Sequence, residues 1–468
     1  MRFLNMVLFT SVIGALIACG GGGNAPAPAT QTPVTQTPAA EPEQSAFSWS
    51  EADPESEGMN SDQLELAFDA AFAEGSFTQA ALVIKNKRIV YERYRGILDG
   101  ERQSISTSTS LSSASVADLY GNRGRNSLVS SWSTAKSFTS IVIGIAMGQD
   151  YIQSLDESAA NYIDEWTNDE RATITLRQLL DMRSGLVPVC FDPASQNLAE
   201  CTETDESGGD LVFADDQMSA CIQRSLAPET GNPAWYMNGR VPYQRGAWLY
   251  SNCDTMILGE IIFRATGQSL QTYADIHLFS KLGMTAYWWR DNTANAQENG
   301  NFLAYCCLDA TARDFARFGQ LILDGGVWEG EQIVPSAYID ALKSIAQDSV
   351  VGPPYNSSYS YGLKFWTIAP FQQADNSLFP AAFALFSTIG FDGQYIVIDF
   401  ENDLIVVRNS LYNQSVNQGS ELKMMVDSLD ISQSNFVSTL PNGIGTSLPS
   451  SFNVQKFLYQ INRSLDAP

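Results

Sequence analysis

Two stretches of alternating apolar and polar residues stand at opposite ends of the chain, and any fold must place both in a sheet. Residues 79–95, QAALVIKNKRIVYERYR, alternate around a short polar turn. Residues 394–409, QYIVIDFENDLIVVRN, do the same around Glu401-Asn402-Asp403. Each predicts an antiparallel hairpin. Between them the periodicity is helical, with apolar residues at helix spacing over 133–147, 175–182, 255–265 and 310–323. The expected fold is α/β: one antiparallel sheet built from both ends of the domain and flanked by helices, with a helical subdomain inserted. No internal repeat is visible. With 468 residues, 44% of them hydrophobic, the chain can bury a large core.

Charge and a single count exclude most chemistries. The formal net charge is −25, from 52 acidic and 27 basic residues. Such a surface repels phosphate backbones, so nucleic acid is not an expected partner. There is one histidine, His277. A Ser-His-Asp triad needs a His base, and hydrolytic zinc sites usually need two or three. His277 lies in DIHLFSKLGM, which reads as a helix end before a glycine. No metal and no cofactor is expected. A hydrolase built from this chain must use Lys or Tyr as its base, or a carboxylate.

The first residues, MRFLNMVLFTSVIGALIACGGGGN, combine a positive start at Arg2, a short apolar run and Leu16-Ile17-Ala18 before Cys19. They resemble a bacterial lipoprotein signal. The expectations are a signal peptide over 1–18, lipidation of Cys19, and a Gly/Pro/Thr-rich tether over 19–44. Residues 45–430 then form the folded domain, and 431–468 a C-terminal extension. The protein would be exported and anchored to the cell envelope, facing the periplasm or exterior, touching membrane through that lipid alone. Six cysteines follow Cys19: Cys190, Cys201, Cys221, Cys253, Cys306 and Cys307. Six allow 15 pairings. Cys190 and Cys201 flank a polar loop and are the favoured local pair. None of the spacings is that of a zinc site.

The chemistry centres on Ser133-Thr134-Ala135-Lys136. On the first turn of a helix, positions i and i+3 share a face, so the Lys136 amine can reach the Ser133 hydroxyl. The following FTSIVIGIAMG is apolar enough to bury that helix, and a buried lysine loses its proton readily. A second Ser-x-x-Lys, Ser420 to Lys423, lies in a polar stretch and reads as surface. Tyr250-Ser251-Asn252 precedes another apolar helix. Tyr250 can shuttle a proton, and the Asn252 amide can hold a substrate carbonyl. Trp235, Tyr236, Trp248 and Trp288 are candidate walls of an apolar cleft.

Taken in order, WSTAKSFTS, the stretch 175–186 (TLRQLLDMRSGL), LYSNCDTMILGEII, the stretch 310–319 (ATARDFARFG) and Tyr361-Gly362-Leu363 resemble the landmarks of the serine β-lactamase-related family. That family includes penicillin-binding proteins, class C β-lactamases, carboxylesterases and 6-aminohexanoate-dimer hydrolases. The resemblance implies a β-lactamase/transpeptidase-like fold, with Ser133 as nucleophile, Lys136 as base and Tyr250 as proton shuttle. The family's third motif usually reads Lys-Thr-Gly; here the candidate is Ser387-Thr388-Ile389-Gly390-Phe391. Its glycine lets the backbone approach a substrate, so the N–H of Phe391 can complete an oxyanion hole with that of Ser133. The missing Lys or His turns the expectation from β-lactams toward esters or small amides, as in the 6-aminohexanoate-dimer hydrolase-like branch. Other readings stay open: a penicillin-binding protein without turnover or a β-lactam-hydrolysing one, and a non-catalytic envelope binding lipoprotein. Oligomeric state is not legible.

Overall fold

The computed structural model describes residues 47–108, 112–192, 197–200, 211, 214, 216–229, 234–236, 241–291, 300–344, 359–368, 385–410, 424–425, 436–437 and 450–465. The signal segment, Cys19, the tether, Cys201 and Ser420 lie outside the described residues.

Both alternating stretches form hairpins, and the two hairpins pair with each other. The main sheet comprises β1 (Ser50–Glu51), β2 (Thr78–Lys85), β3 (Arg88–Tyr94), β4 (Tyr359–Gly362), β5 (Phe365–Ile368), β6 (Leu385–Gly390), β7 (Gln394–Asp399) and β8 (Leu404–Ser410). Their spatial order is β1-β3-β2-β8-β7-β6-β5-β4. Only β1 beside β3 is parallel. The closure expected from sequence is the β2–β8 ladder, with Ile84 opposite Ile405 and Leu82 opposite Val407.

The period of two in these strands feeds two cores. Leu82, Ile84, Ile396, Ile398, Ile405 and Val407 point into the larger one. Ala81, Val83, Val397, Leu404 and Val406 point into the smaller one. Each such large side chain contributes about 1.5–3 kcal/mol on burial, which fixes the register, because a slip of one residue would exchange the faces. Around the sheet lie α1 (Ser61–Ala71), α2 (Ala135–Gly148), α3 (Leu176–Leu180), α4 (Gln217–Ile222), α5 (Asn252–Thr266), α6 (Ala312–Leu323) and α7 (Val454–Leu465). Helices α2, α5 and α6 fill the larger core. Phe68 of α1 packs in the smaller core with Phe457, Leu458 and Ile461 of α7. Thus α7, although it falls within the segment 431–468 set apart by sequence, is part of the layer covering the sheet.

Helix starts follow the local chemistry. Ser251 caps α5 by accepting the Asp254 N–H at 3.1 Å. Thr311 and Asp314 form a reciprocal capping box at the start of α6. Cys221 of α4 is disulfide-bonded to Cys253 in the first turn of α5. Cys306 is bonded to Cys307. Cys190 is also disulfide-bonded, and its expected partner Cys201 is outside the described residues. His277 lies in a π-helical turn, with its Nδ1 3.0 Å from Gln149 Nε2. Among the described residues no helix is long and apolar enough to cross a membrane.

Candidate active site

The nucleophile candidate stands at a tightened helix entrance. Sequence reasoning put Ser133 on the first α-helical turn. It instead occupies a 3-10 turn, Trp132–Thr134, that runs into α2. The difference preserves the geometry, since residues i and i+3 eclipse in a 3-10 turn. Lys136 Nζ lies 2.9 Å from Ser133 Oγ. Trp132, just before, has φ 48°, a left-handed conformation that costs a bulky residue about 1–3 kcal/mol. The surroundings impose it. The Ser131 hydroxyl accepts the Leu308 N–H at 2.9 Å, and the Trp132 carbonyl accepts the Cys307 N–H at 3.1 Å. Thr134 ties the turn to the sheet, its hydroxyl 3.2 Å from that of Thr388 and 3.3 Å from the Gln394 carbonyl.

Lys136 is 1% exposed. Its amine donates to the Tyr305 carbonyl at 2.8 Å and lies within hydrogen-bond distance of Ser133 Oγ. The rings of Tyr250 and Tyr305 face it, with centroids 4.8 and 5.3 Å away. Burial, and secondarily the charge of Lys364, hold Lys136 well below the usual lysine range.

Tyr250 is half-buried on the loop before α5. That loop is anchored from behind: the Leu249 N–H donates to the Met182 carbonyl at 2.9 Å, and the Ser251 N–H to Met182 sulfur at 3.3 Å. The Tyr250 ring stacks on Trp366, centroids 5.8 Å apart, and Trp366 meets Tyr361 edge-on at 4.6 Å. Trp248 joins the same aromatic cluster. Of the other wall candidates, Trp288 is 1% exposed and packs on Phe279, so it is core. The side chains of Trp235 and Tyr236 are outside the described residues. Asn252 occupies the first position of α5, half-buried.

Gly390 ends β6 directly against the nucleophile turn. A Cβ there would lie 2.2 Å from the Ser131 carbonyl, so only glycine fits. Phe391 opens the 3-10 turn Phe391–Gly393, is 45% exposed, and sets its ring edge-on to Trp132 at 5.6 Å. The structure therefore brings Ser133, Lys136, Tyr250, Gly390 and Phe391 around one place.

Three contributors escaped sequence reasoning. The Tyr305 carbonyl is a backbone atom and leaves no side-chain signature. Arg408 reads as one polar position of an alternating strand, yet it is 1% exposed and donates to the Gly393 carbonyl at 2.8 Å, bracing the Phe391–Gly393 turn. Lys364 lies buried behind α2.

A family model described as Beta-lactamase matches residues 68–423. A 6-aminohexanoate-dimer hydrolase of Paenarthrobacter ureafaciens is 27% identical over 169 residues, which cover 35% of this chain and 39% of that protein. The match thus spans well under two thirds of that relative. A solved Bacillus anthracis protein, provisionally assigned as a 6-aminohexanoate-dimer hydrolase, is 25% identical with TM-score 0.50, covering 74% of this chain and 75% of that one. A Bacteroides dorei structure provisionally assigned as a β-lactamase aligns with TM-score 0.55 at 16% identity, over 87% of this chain and all of the other. That last likeness concerns the fold alone. With residues 68–423, three quarters of its length, matched by that model, the chain belongs to the beta-lactamase family.

Proposed function

We propose that this hydrolase cleaves an ester or a small amide through an acyl-enzyme on Ser133. The reading rests on one contact, the 2.9 Å approach of the buried Lys136 Nζ to the half-buried Ser133 Oγ. A neutral Lys136 accepts the Ser133 proton as Oγ attacks the acyl carbon. The resulting oxyanion is held by the N–H groups of Ser133 and Phe391. Tyr250, whose ring lies over Lys136, passes the proton to the leaving oxygen or nitrogen as the acyl bond breaks. Water then attacks the acyl-Ser133 ester, and its proton returns through the same groups. Asn252 holds the substrate carbonyl side, and the aromatic cluster of Trp248, Tyr250, Tyr361 and Trp366 offers an apolar wall. The strand leading to Gly390, Leu385–Gly390, carries no Lys or His, which favours neutral esters and amides over β-lactam carboxylates. The name of the Paenarthrobacter relative points to an amide, and the 6-aminohexanoate-dimer class is the first amide to try.

Purified protein is treated with a fluorophosphonate and read by intact mass, with p-nitrophenyl butyrate and 6-aminohexanoate-dimer turnover alongside. Wild type and Ser420→Ala are expected to label once and turn over substrate, and Ser133→Ala to do neither. Labelling that persists in Ser133→Ala would sink the assignment.

A further inference from the structure

The hairpin turn between β4 and β5 has two residues, Leu363 and Lys364, with Gly362 opposite Phe365. Both have positive φ, 44° and 65°. Such a turn normally takes Asn-Gly or Asp-Gly at the surface, because other residues resist this backbone. Here it takes Leu-Lys and is buried, at 2% and 1% exposed. Two unfavourable choices at one position, a strained backbone and a buried charge, indicate that the side chain is required.

The turn is docked through its backbone. The Lys364 N–H donates to the Leu180 carbonyl at 3.0 Å, and the Leu363 N–H to Asp181 Oδ1 at 2.8 Å. The Lys364 carbonyl accepts the hydroxyl of Ser137, the residue after Lys136, at 2.7 Å. Among the described residues the Lys364 ammonium has no hydrogen-bond partner. On α5, Asp254 is 1% exposed; its Oδ1 accepts the Ser184 hydroxyl at 2.7 Å, and its Oδ2 has no hydrogen-bond partner among the described residues. The groups acting on Lys364 are Asp254 from α5, Asp181 from the end of α3 and Lys136 from α2. Arg177 and Arg183 act on Asp181, while Tyr250 and Tyr305 close over Lys136.

We propose that Lys364 is a positioning residue for the nucleophile pair: its buried ammonium, balanced by Asp254 and Asp181, keeps the Lys136 amine unprotonated and ready to receive the Ser133 proton. This rests on Lys136 being the base. Burial pushes Lys364 down to about 8, so at neutral pH it still carries its charge. A second positive charge in the same dry interior opposes protonation of Lys136. Lys364 touches no substrate; it acts through Lys136.

The test is kcat/KM for p-nitrophenyl butyrate against pH in wild type, Lys364→Met, Lys364→Gln and Lys364→Arg, each checked for cooperative unfolding. The two uncharged variants move the acidic limb to higher pH, with kcat/KM about tenfold lower near pH 6 and within about twofold of wild type near pH 9. Arg restores the wild-type limb. A folded Met or Gln variant with an unmoved limb overturns the proposal. So does a chain that folds with neither, since the charge would then be a structural need. Ser133→Ala is run in parallel. Activity that survives it means the nucleophile reading has failed, whereas Ser133-dependent activity whose acidic limb ignores Lys364 refutes this proposal alone.

Discussion

Replacing Arg408 with Met tests whether the turn carrying Phe391 is held from behind. Arg408 projects from β8 into the interior, where it donates to Gly393 O at 2.8 Å, to Ser76 O at 2.6 Å and to Thr78 Oγ1 at 2.8 and 3.1 Å. Gly393 must be glycine beside it: its φ is 86°, and a Cβ would meet Arg408 Nη1 at 2.5 Å. In Arg408→Met the Ser76 carbonyl keeps the Ser450 hydroxyl, at 3.3 Å. Gly393 O and Thr78 Oγ1 lose a charged donor, at about 1.5–2 kcal/mol each. The guanidinium also lies 3.9 Å from the Phe452 ring centroid, a contact worth about 1 kcal/mol. The loss is therefore about 4–5 kcal/mol. Unfolding entropy of about 2.1 cal/mol/K per residue over roughly 400 residues converts this to a fall in Tm of about 5 °C. Activity should suffer beyond stability. A turn released from its clamp would misplace Phe391, the proposed oxyanion donor, and kcat is expected to drop about 10- to 100-fold with a smaller change in KM. Differential scanning calorimetry and steady-state kinetics below the transition measure both. A folded Arg408→Met with Tm within about 1 °C of wild type and unchanged kcat would refute the clamp.

Two more expectations follow from the same interior. Folded Lys364 releases its proton near pH 8, whereas the unfolded chain holds it to about the ordinary 10.5, and Lys136 is lowered in the same direction. In that window the unfolded state binds more protons, so urea midpoints should rise from about pH 8 to about pH 10, a gain in stability of roughly 2–3 kcal/mol from Lys364 alone, to which Lys136 adds. Above about pH 10 the slope should reverse, because burial keeps Tyr94, Tyr273 and Tyr338 protonated in the folded state alone; flat midpoints from pH 8 to 10 would contradict this. Cys221–Cys253 closes a span of 32 residues and pins the first turn of α5 beside Tyr250. The double variant Cys221→Ala/Cys253→Ala should lose about 3–4 kcal/mol and lower kcat; unchanged melting would show that packing alone fixes α5.

What the sequence discloses depends on how local the signal is. The hairpins at 79–95 and 394–409 are legible because alternation survives in strands buried on both faces. There the two cores take alternate residues of Ala81-Leu82-Val83-Ile84 and of Leu404-Ile405-Val406-Val407. Ser133 and Lys136 are legible because three residues separate them, and that spacing reports contact in a 3-10 turn as well as in an α-helix. Tyr250 and the 390–391 pair needed the order of landmarks, since the contact that matters joins residues hundreds of positions apart. Lys364 was hidden by its own sequence. In YGLKFW the turn pair Leu363-Lys364 lacks the Asn or Gly that marks a two-residue turn, so the stretch reads as one strand rather than as a hairpin tip. Arg408 was hidden by alternation, which assigns polar residues to solvent and cannot foresee a carbonyl waiting inside. The disulfides were hidden by combinatorics, because Cys221 and Cys253 meet only once α4 has packed on α5. For Lys364 and Arg408 the partner is a charge or a backbone atom brought close by tertiary folding, and for the cysteines it is a second thiol brought close in the same way. The candidate nucleophile and base, three residues apart, are therefore local and visible in this chain. Those that tune and brace them are distant, and only the packed interior shows why a lysine belongs in a turn built for glycine.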